Sequence, residues 1–371
     1  MKKSLIALAV LAASGAAMAQ SSVTLYGLVD VNLSSQKVDT GTSTTTTGIN
    51  SGGFNGSRWG MKGSEDLGGG LKANFNLESG FGIDTGAQQQ GGLLFGRQAW
   101  VGLSGGFGAT RLGRSSTPFY DVDATYDALW GSLLSPAVQT FRTTTGFAGT
   151  AGNTGANSMT TQGAAARTDN TIRYDSPVMG GFSAAISHSL NEKAALATAP
   201  SATYSTSTVG VSVTSLAVTY AGGPLSANLA YQTEGKYNPA AGTSDRNFTR
   251  LQGSYDFGGI IARAVIGKAA NINNVSGADA TEYMLGADYA ASTALTLSAS
   301  YASSKDNATQ SNLYALGGSG DVERKGLGLG AKYALSKRTF VYGGFEADTV
   351  TRTGTTDRKH QQFAAGVQHR F

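Results

Sequence analysis

Three aspartates, Asp121, Asp123 and Asp127, lie close together among Phe119, Tyr120, Tyr126, Leu129 and Trp130. Acids at this density could hold a cation, share a proton or line a wet surface. A calcium loop needs a central glycine and a distal glutamate, and this segment has neither. His188, His360 and His369 are the only histidines, and their spacing fits no metal motif. Without cysteine there is no thiolate ligand and no Cys nucleophile. Gly102-Leu103-Ser104-Gly105-Gly106 matches the nucleophile-elbow pattern, but that elbow needs a helix straight after the serine. Here Phe107 to Leu112 reads as the second half of a hairpin. Gly326, Gly328 and Gly330 alternate within a strand pattern rather than opening a helix, so no dinucleotide site follows. The expectation is therefore no enzyme, no cofactor and no metal.

What remains is charge used as a surface. The basic residues form no run of the kind that grips nucleic acid. Lys2 and Lys3 open an export leader: a short apolar stretch follows from Leu5 to Ala13, then Ala17-Met18-Ala19 as a small-x-small cleavage site. Residues 1–19 are expected to be removed, leaving 20–371 as one domain starting at Gln20. Basic residues then number 26, the 28 of the full chain less these two lysines, against 24 acids.

These charges need elements to carry them. No apolar run after the leader is long enough for a membrane helix. Glycine is frequent at 52 residues and proline scarce at 6, which suits many strands joined by tight turns. Alternation with period 2 recurs in segments of about ten residues, the length of a tilted membrane strand. Leu71, Ala73, Phe75 and Leu77 oppose Lys72, Asn74, Asn76 and Glu78; a strand sorts such residues, whereas a helix scatters them. Tyr231, Phe257, Tyr289, Tyr301, Tyr333 and Phe371 stand on apolar faces, placed to form aromatic girdles at a membrane boundary. Short connections near 66–69, 105–108, 177–181, 221–224, 256–259, 291–293 and 335–338 alternate with long ones near 34–53, 84–92, 116–167, 191–210, 235–246, 271–280, 305–323 and 351–360. Fifteen connections make sixteen strands, with both ends of the chain on the short-turn side. The reading is all-β: a transmembrane antiparallel β-barrel that needs no disulfide because closure pairs every edge.

Several segments then carry a resemblance. Ser22-Val23-Thr24-Leu25-Tyr26-Gly27-Leu28-Val29-Asp30 is followed by Ser57-Arg58-Trp59-Gly60-Met61-Lys62-Gly63-Ser64-Glu65-Asp66-Leu67-Gly68 and Arg97-Gln98-Ala99-Trp100-Val101-Gly102-Leu103. Leu112-Gly113-Arg114, Pro118-Phe119-Tyr120-Asp121, Asn170 to Pro177 and the ending Gly366-Val367-Gln368-His369-Arg370-Phe371 complete the set. From Ser22 to Phe371 the chain resembles the general diffusion porins of Gram-negative bacteria, most closely the β-proteobacterial type. The resemblance implies a cell outer-membrane homotrimer with one pore per subunit and a third outer loop folded into the lumen. It implies a basic cluster at Arg58, Arg97 and Arg167, and a terminal Phe371 read by the barrel-assembly machinery.

On this reading 118–135 folds inward, aromatics on the wall and Asp121, Asp123 and Asp127 toward the channel. Arg58 is out of phase with Trp59, and Arg97 with Trp100; if the tryptophans face lipid, both arginines face the lumen. Arg114 is a further candidate. Arginines facing aspartates would set up a transverse field that aligns polar solutes. Unit charges about 10 Å apart interact by roughly 0.4 kcal/mol at water's dielectric and about 1.7 at an effective value of 20, before screening over about 8 Å. The expected function is a passive channel for small hydrophilic solutes and ions with a weak anion preference. A substrate-selective channel of the same fold, or a non-conducting adhesin, are the alternatives. Membrane lipids are the expected surroundings.

Overall fold

The computed structural model describes residues 22–141, 164–193, 210–236, 243–307, 321–352 and 354–371. The expected leader and its cleavage site lie outside the described residues. Seventeen strand segments form one antiparallel sheet: β1 (Ser22–Asp39), β2 (Ser43–Ser51), β3 (Arg58–Gly68), β4 (Leu71–Gly80), β5 (Gln98–Gly105), β6 (Gly108–Ser116), β7 (Arg167–Asp175), β8 (Phe182–Lys193), β9 (Gly210–Gly222), β10 (Leu225–Glu234), β11 (Arg246–Asp256), β12 (Ile260–Ala270), β13 (Ala280–Ala290), β14 (Leu295–Asp306), β15 (Val322–Ala334), β16 (Thr339–Arg352) and β17 (Arg358–Arg370). Each pairs with its sequence neighbour except β2 with β3, and β1 pairs with β17 from Leu28↔Arg370 to Asp39↔Lys359, which closes the barrel. The segments β2 and β3 lie in line along β1, one on each half of it. They are one barrel strand interrupted at 52–57, so the barrel has sixteen strands.

The interruption corrects one sequence boundary. Residues 34–53 are expected as an outer loop, yet most are strand with a turn only at 40–42. The Ser/Thr run at 43–47 extends the strand on β-branched propensity, but it is exposed and polar, so no apolar alternation marks it. The break itself is tied down by Asp30, whose carboxylate accepts from the backbone N–H groups of Phe54 (3.3 Å) and Asn55 (2.9 Å) and from the Tyr342 hydroxyl (2.6 Å).

The wall is inverted relative to a water-soluble domain. Leu25, Leu33, Ile49, Leu229, Leu251, Ile266, Leu285 and Phe363 are exposed, while Asn32, Asn228, Arg250, Gln252, Glu282, Arg324 and Glu346 are buried. Apolar residues therefore face outward to lipid and polar residues inward. The outward rings follow the expected girdles: Phe257, Tyr289 and Tyr333 stand near the short turns, Tyr231 toward the long loops, and all are exposed. At the seam, Phe371 and Gly27 exchange backbone hydrogen bonds (3.1 and 3.2 Å). A Cβ on Gly27 would sit 2.4 Å from the Phe371 ring, so glycine makes the space for the terminal aromatic.

The third long connection turns inward. Thr117 caps α1 (Pro118–Asp123) by accepting from the Tyr120 N–H (3.3 Å). A 3₁₀ turn at Ala124–Tyr126 follows, and α2 (Pro136–Thr140) closes the described part. Helix α1 packs on β8, β9 and β10, the 3₁₀ turn on β11 and β12, and α2 on β14, β15 and β16. The loop thus lies along the inner wall. Its seat on β15 is the glycine row set aside above as a non-nucleotide pattern: a Cβ on Gly328 would stand 2.3 Å from the Leu134 carbonyl, and one on Gly330 2.6 Å from Leu129. Larger residues would hold the loop off the wall.

Candidate functional site

Beside α1 the lumen narrows around a cavity of about 390 Å³ lined by Arg58, Asn76, Glu78, Arg97, Gln98, Trp100, Arg111, Ser116, Tyr120, Asp121 and Arg167. Adjacent strands β3 to β7 carry most of this lining, and α1 supplies Tyr120 and Asp121. Four arginines thus meet two carboxylates.

The two carboxylates are engaged. Glu78 accepts from Arg97 Nε at 2.6 Å and from the Tyr26 hydroxyl at 3.0 Å. Asp121 pairs with Arg173 at 2.5 Å, and Arg173 also holds Asp175 at 2.6 Å. Arg111 lies over the Trp100 ring at 5.1 Å and within 3.3 Å of Asp175. Arg58 donates to the Asn55 side chain (3.2 Å), and Arg167 lies over the Tyr120 ring at 4.8 Å. Among the described residues neither Arg58 nor Arg167 makes an ion pair with a carboxylate. Burial, then the neighbouring charges of Arg167 and Arg58, hold the Arg97 guanidinium below its ordinary value. Like charges have been crowded together here around the cavity.

The expected residues separate into groups. Arg58, Arg97, Arg167 and Asp121 line the cavity together. Asp123 and Asp127 correct the reading that all three acids face the channel. Asp123 is buried against the wall and pairs with Arg250 at 2.6 Å, while Arg250 also reaches Glu282 at 3.2 Å. Burial pushes the Asp123 carboxyl up to about 7 against the pull of Arg250, and Glu282 adds to the rise. Asp127 accepts from the backbone N–H groups of Leu129 (3.1 Å) and Gly131 (2.6 Å), fixing a turn in which Trp130 and Gly131 both have positive φ. Burial raises its carboxyl as well. Both acids anchor the loop. Arg114 is also corrected: it pairs with Asp169 (2.6 Å) and donates to the Gly96 carbonyl (2.8 Å), which ties β7 to the segment before β5, outside the lining.

Trp100 faces the cavity with Gln98, to which its Nε1 donates at 2.8 Å, while Val101 and Leu103 face outward. The premise that this tryptophan faces lipid is therefore wrong. Arg97 reaches the lumen because it precedes β5 and escapes its alternation. Trp59 does lie off the lumen, against Phe95. Arg111 escaped the sequence reading as a lining residue, and Arg173, a lesser candidate for the basic wall, was not foreseen as the partner of Asp121. Their signal is period 2, since Leu112 and Ile172 beside them are exposed.

Among the described residues, Glu346, Asp348 and His360 are the one cluster able to bring ligand atoms within 4.8 Å of one another. His360 Nδ1 lies 2.8 Å from Asp348 and 3.1 Å from Glu346, and Arg358 holds the other Asp348 oxygen at 3.1 Å. Strand pairing puts Asp348 opposite His360, a proximity that linear spacing does not register.

The family model for Gram-negative porins matches residues 5–353. The chain belongs to the Gram-negative porin family. Outer membrane porin protein 32 of Delftia acidovorans is 36% identical over 345 residues, covering 92% of this chain and 88% of that protein. An outer membrane porin protein of Bordetella pertussis is 30% identical over 416 residues and covers both chains fully. Among solved structures, the anion-selective porin from Comamonas acidovorans superposes with a TM-score of 0.73 at 27% identity, over 95% of this porin and 100% of that one. The porin described here is an outer-membrane β-barrel channel, and its arginine-rich cavity lies within that channel.

Proposed function

We propose that this porin is a passive diffusion channel for small hydrophilic solutes with a weak preference for anions, and that the cavity beside α1 is its selectivity constriction. The observation that carries this reading is the charge of the lining: four arginines against Glu78 and Asp121, with Arg58 and Arg167 free of carboxylate partners among the described residues. Cations lining a water-filled passage favour anions electrostatically. The solved structure it resembles at 27% identity is described as an anion-selective porin, which supports the same sign. Glu78 and Asp121 keep the cations from excluding each other, and the anchored loop keeps the gap fixed.

Three barrels per assembly, each with its own pore, is the arrangement proposed from the family resemblance. The outward row Phe363, Ala365, Val367, His369 and Phe371 is proposed as the feature that the assembly machinery reads. Planar-bilayer recording with a potassium chloride gradient tests the channel reading. The reversal potential should take the sign of chloride permeation, and one insertion should close in three equal steps. A reversal potential of the cation sign refutes the proposed selectivity.

A further inference from the structure

Tyr120 is the lining residue whose surroundings ask for more than packing. Thr117 fixes the start of its helix, and Phe119 behind it is fully buried against Phe248, ring centroids 6.2 Å apart. The Tyr120 side chain is thereby held at the cavity wall. Arg167 from β7 lies over its ring at 4.8 Å and donates from Nη2 to its hydroxyl oxygen at 3.4 Å. Arg97, just before β5, and Arg58 on β3 complete a cationic shell. The acids nearest by are already engaged, Glu78 on β4 by Arg97 and Asp121 on α1 by Arg173, while Arg111 on β6 is drawn to Asp175.

We propose that Tyr120 sets the strength of the anion preference: its ring holds Arg167 in the passage, and its phenol is a built-in charge that weakens the preference when it ionises. This rests on the reading of the constriction given above. Two physical arguments support it. A guanidinium over an aromatic face is attracted to the ring quadrupole without being neutralised, so Tyr120 positions Arg167 as a carboxylate would but leaves its full charge in the lumen. Burial opposes phenolate formation, yet the fields of Arg167, Arg97 and Arg58 and the Arg167 hydrogen bond outweigh it. The phenol therefore sits below its ordinary value near 10 and adds a negative charge to the lining once it ionises.

The test is reversal potential in a potassium chloride gradient from pH 7 to 10, for the native porin, Tyr120→Phe and Tyr120→Leu. For an ion about 7 Å away, one screened unit charge changes the anion-to-cation permeability ratio about twofold. The native ratio should fall, by up to that factor, as pH rises across the range. Tyr120→Phe keeps the ring but lacks the phenol and should lose the alkaline fall; Tyr120→Leu should show a reduced ratio at every pH. Lysines titrate in both proteins, so the difference between native and Tyr120→Phe is what is read. A native ratio flat with pH, or the same fall in Tyr120→Phe, overturns the role of Tyr120 and leaves the channel reading standing. A cation preference of the native porin at pH 7 overturns both.

Discussion

Neutralising Arg58 and Arg167 together tests whether unpaired charge, rather than pore shape, selects the permeant ion. Both line the cavity and, among the described residues, neither is paired with a carboxylate, whereas Arg97 is matched by Glu78 at 2.6 Å. For an ion passing about 7 Å from a guanidinium, Coulomb's law in water gives about 0.6 kcal/mol, cut to about 0.25 kcal/mol by screening at physiological salt. An anion loses that stabilisation and a cation escapes the same repulsion, so the permeability ratio shifts by roughly twofold per arginine and about fivefold for the pair. The lining goes from four arginines against two acids to two against two, and the preference should vanish. Arg58→Gln with Arg167→Gln, measured by reversal potential in a tenfold salt gradient, should therefore read near zero. Arg114→Gln is the control, because Arg114 is occupied by Asp169 and Gly96 outside the lining, and its ratio should match the native one. A double variant that keeps the native ratio refutes the electrostatic reasoning, since the charges would then be bystanders to a steric filter. Raising the salt tenfold should shrink the native preference too, because a shorter Debye length removes more of the field.

Loop seating and loop anchoring give further outcomes. Gly328→Val places side-chain carbon where the Leu134 carbonyl sits, so the loop must leave the wall; single-channel conductance should change and gating noise should rise, while a trace identical to native would mean the seat is slack. The Asp123 carboxyl, raised to about 7 by burial, has a folded-state value above its unfolded one near 3.9. Its contribution is fully present below about pH 4 and is lost as pH rises through 7. The temperature at which the folded barrel converts to its unfolded gel band should therefore fall over that window, and Asp123→Asn should flatten the profile. Phe371→Ala removes the ring packed on Gly27; the yield of folded barrel in the outer membrane should drop several-fold, with normal conductance in the molecules that do assemble.

The strand count and the faces of strands such as β4 were legible because period 2 is a local signal. Leu71 to Glu78 sort by face in one dimension, and the barrel does no more than close that pattern. The charges are a different case. Asp121, Asp123 and Asp127 are alike in sequence, yet their fates depend on Arg173, Arg250 and a backbone turn. The first two partners lie far along the chain and reach these acids only through folding of the loop. Arg97 was placed in the lumen on a false premise about Trp100, and the right answer came from a break in the strand. Arg111, by contrast, was available to the same period-2 test that worked elsewhere, since Leu112 beside it faces out.

The distinction that matters for function is between charges with partners and charges without them. Behind the loop, Arg250 meets Asp123 and Glu282, Arg324 meets Asp306, and Arg358 meets Asp348. Those pairs are buried, and removing one partner from such a pair costs about 3–5 kcal/mol because a lone charge is left behind. They hold the loop and its wall in place. Arg58 and Arg167 instead line the cavity with no carboxylate partner among the described residues, so in the proposed reading their charge is the part left available to a passing ion. A lumen built from closed pairs alone would be polar but nearly blind to the sign of its solutes. On the proposed reading, it is the two open arginines, crowded beside Arg97, that would give this passage its sign.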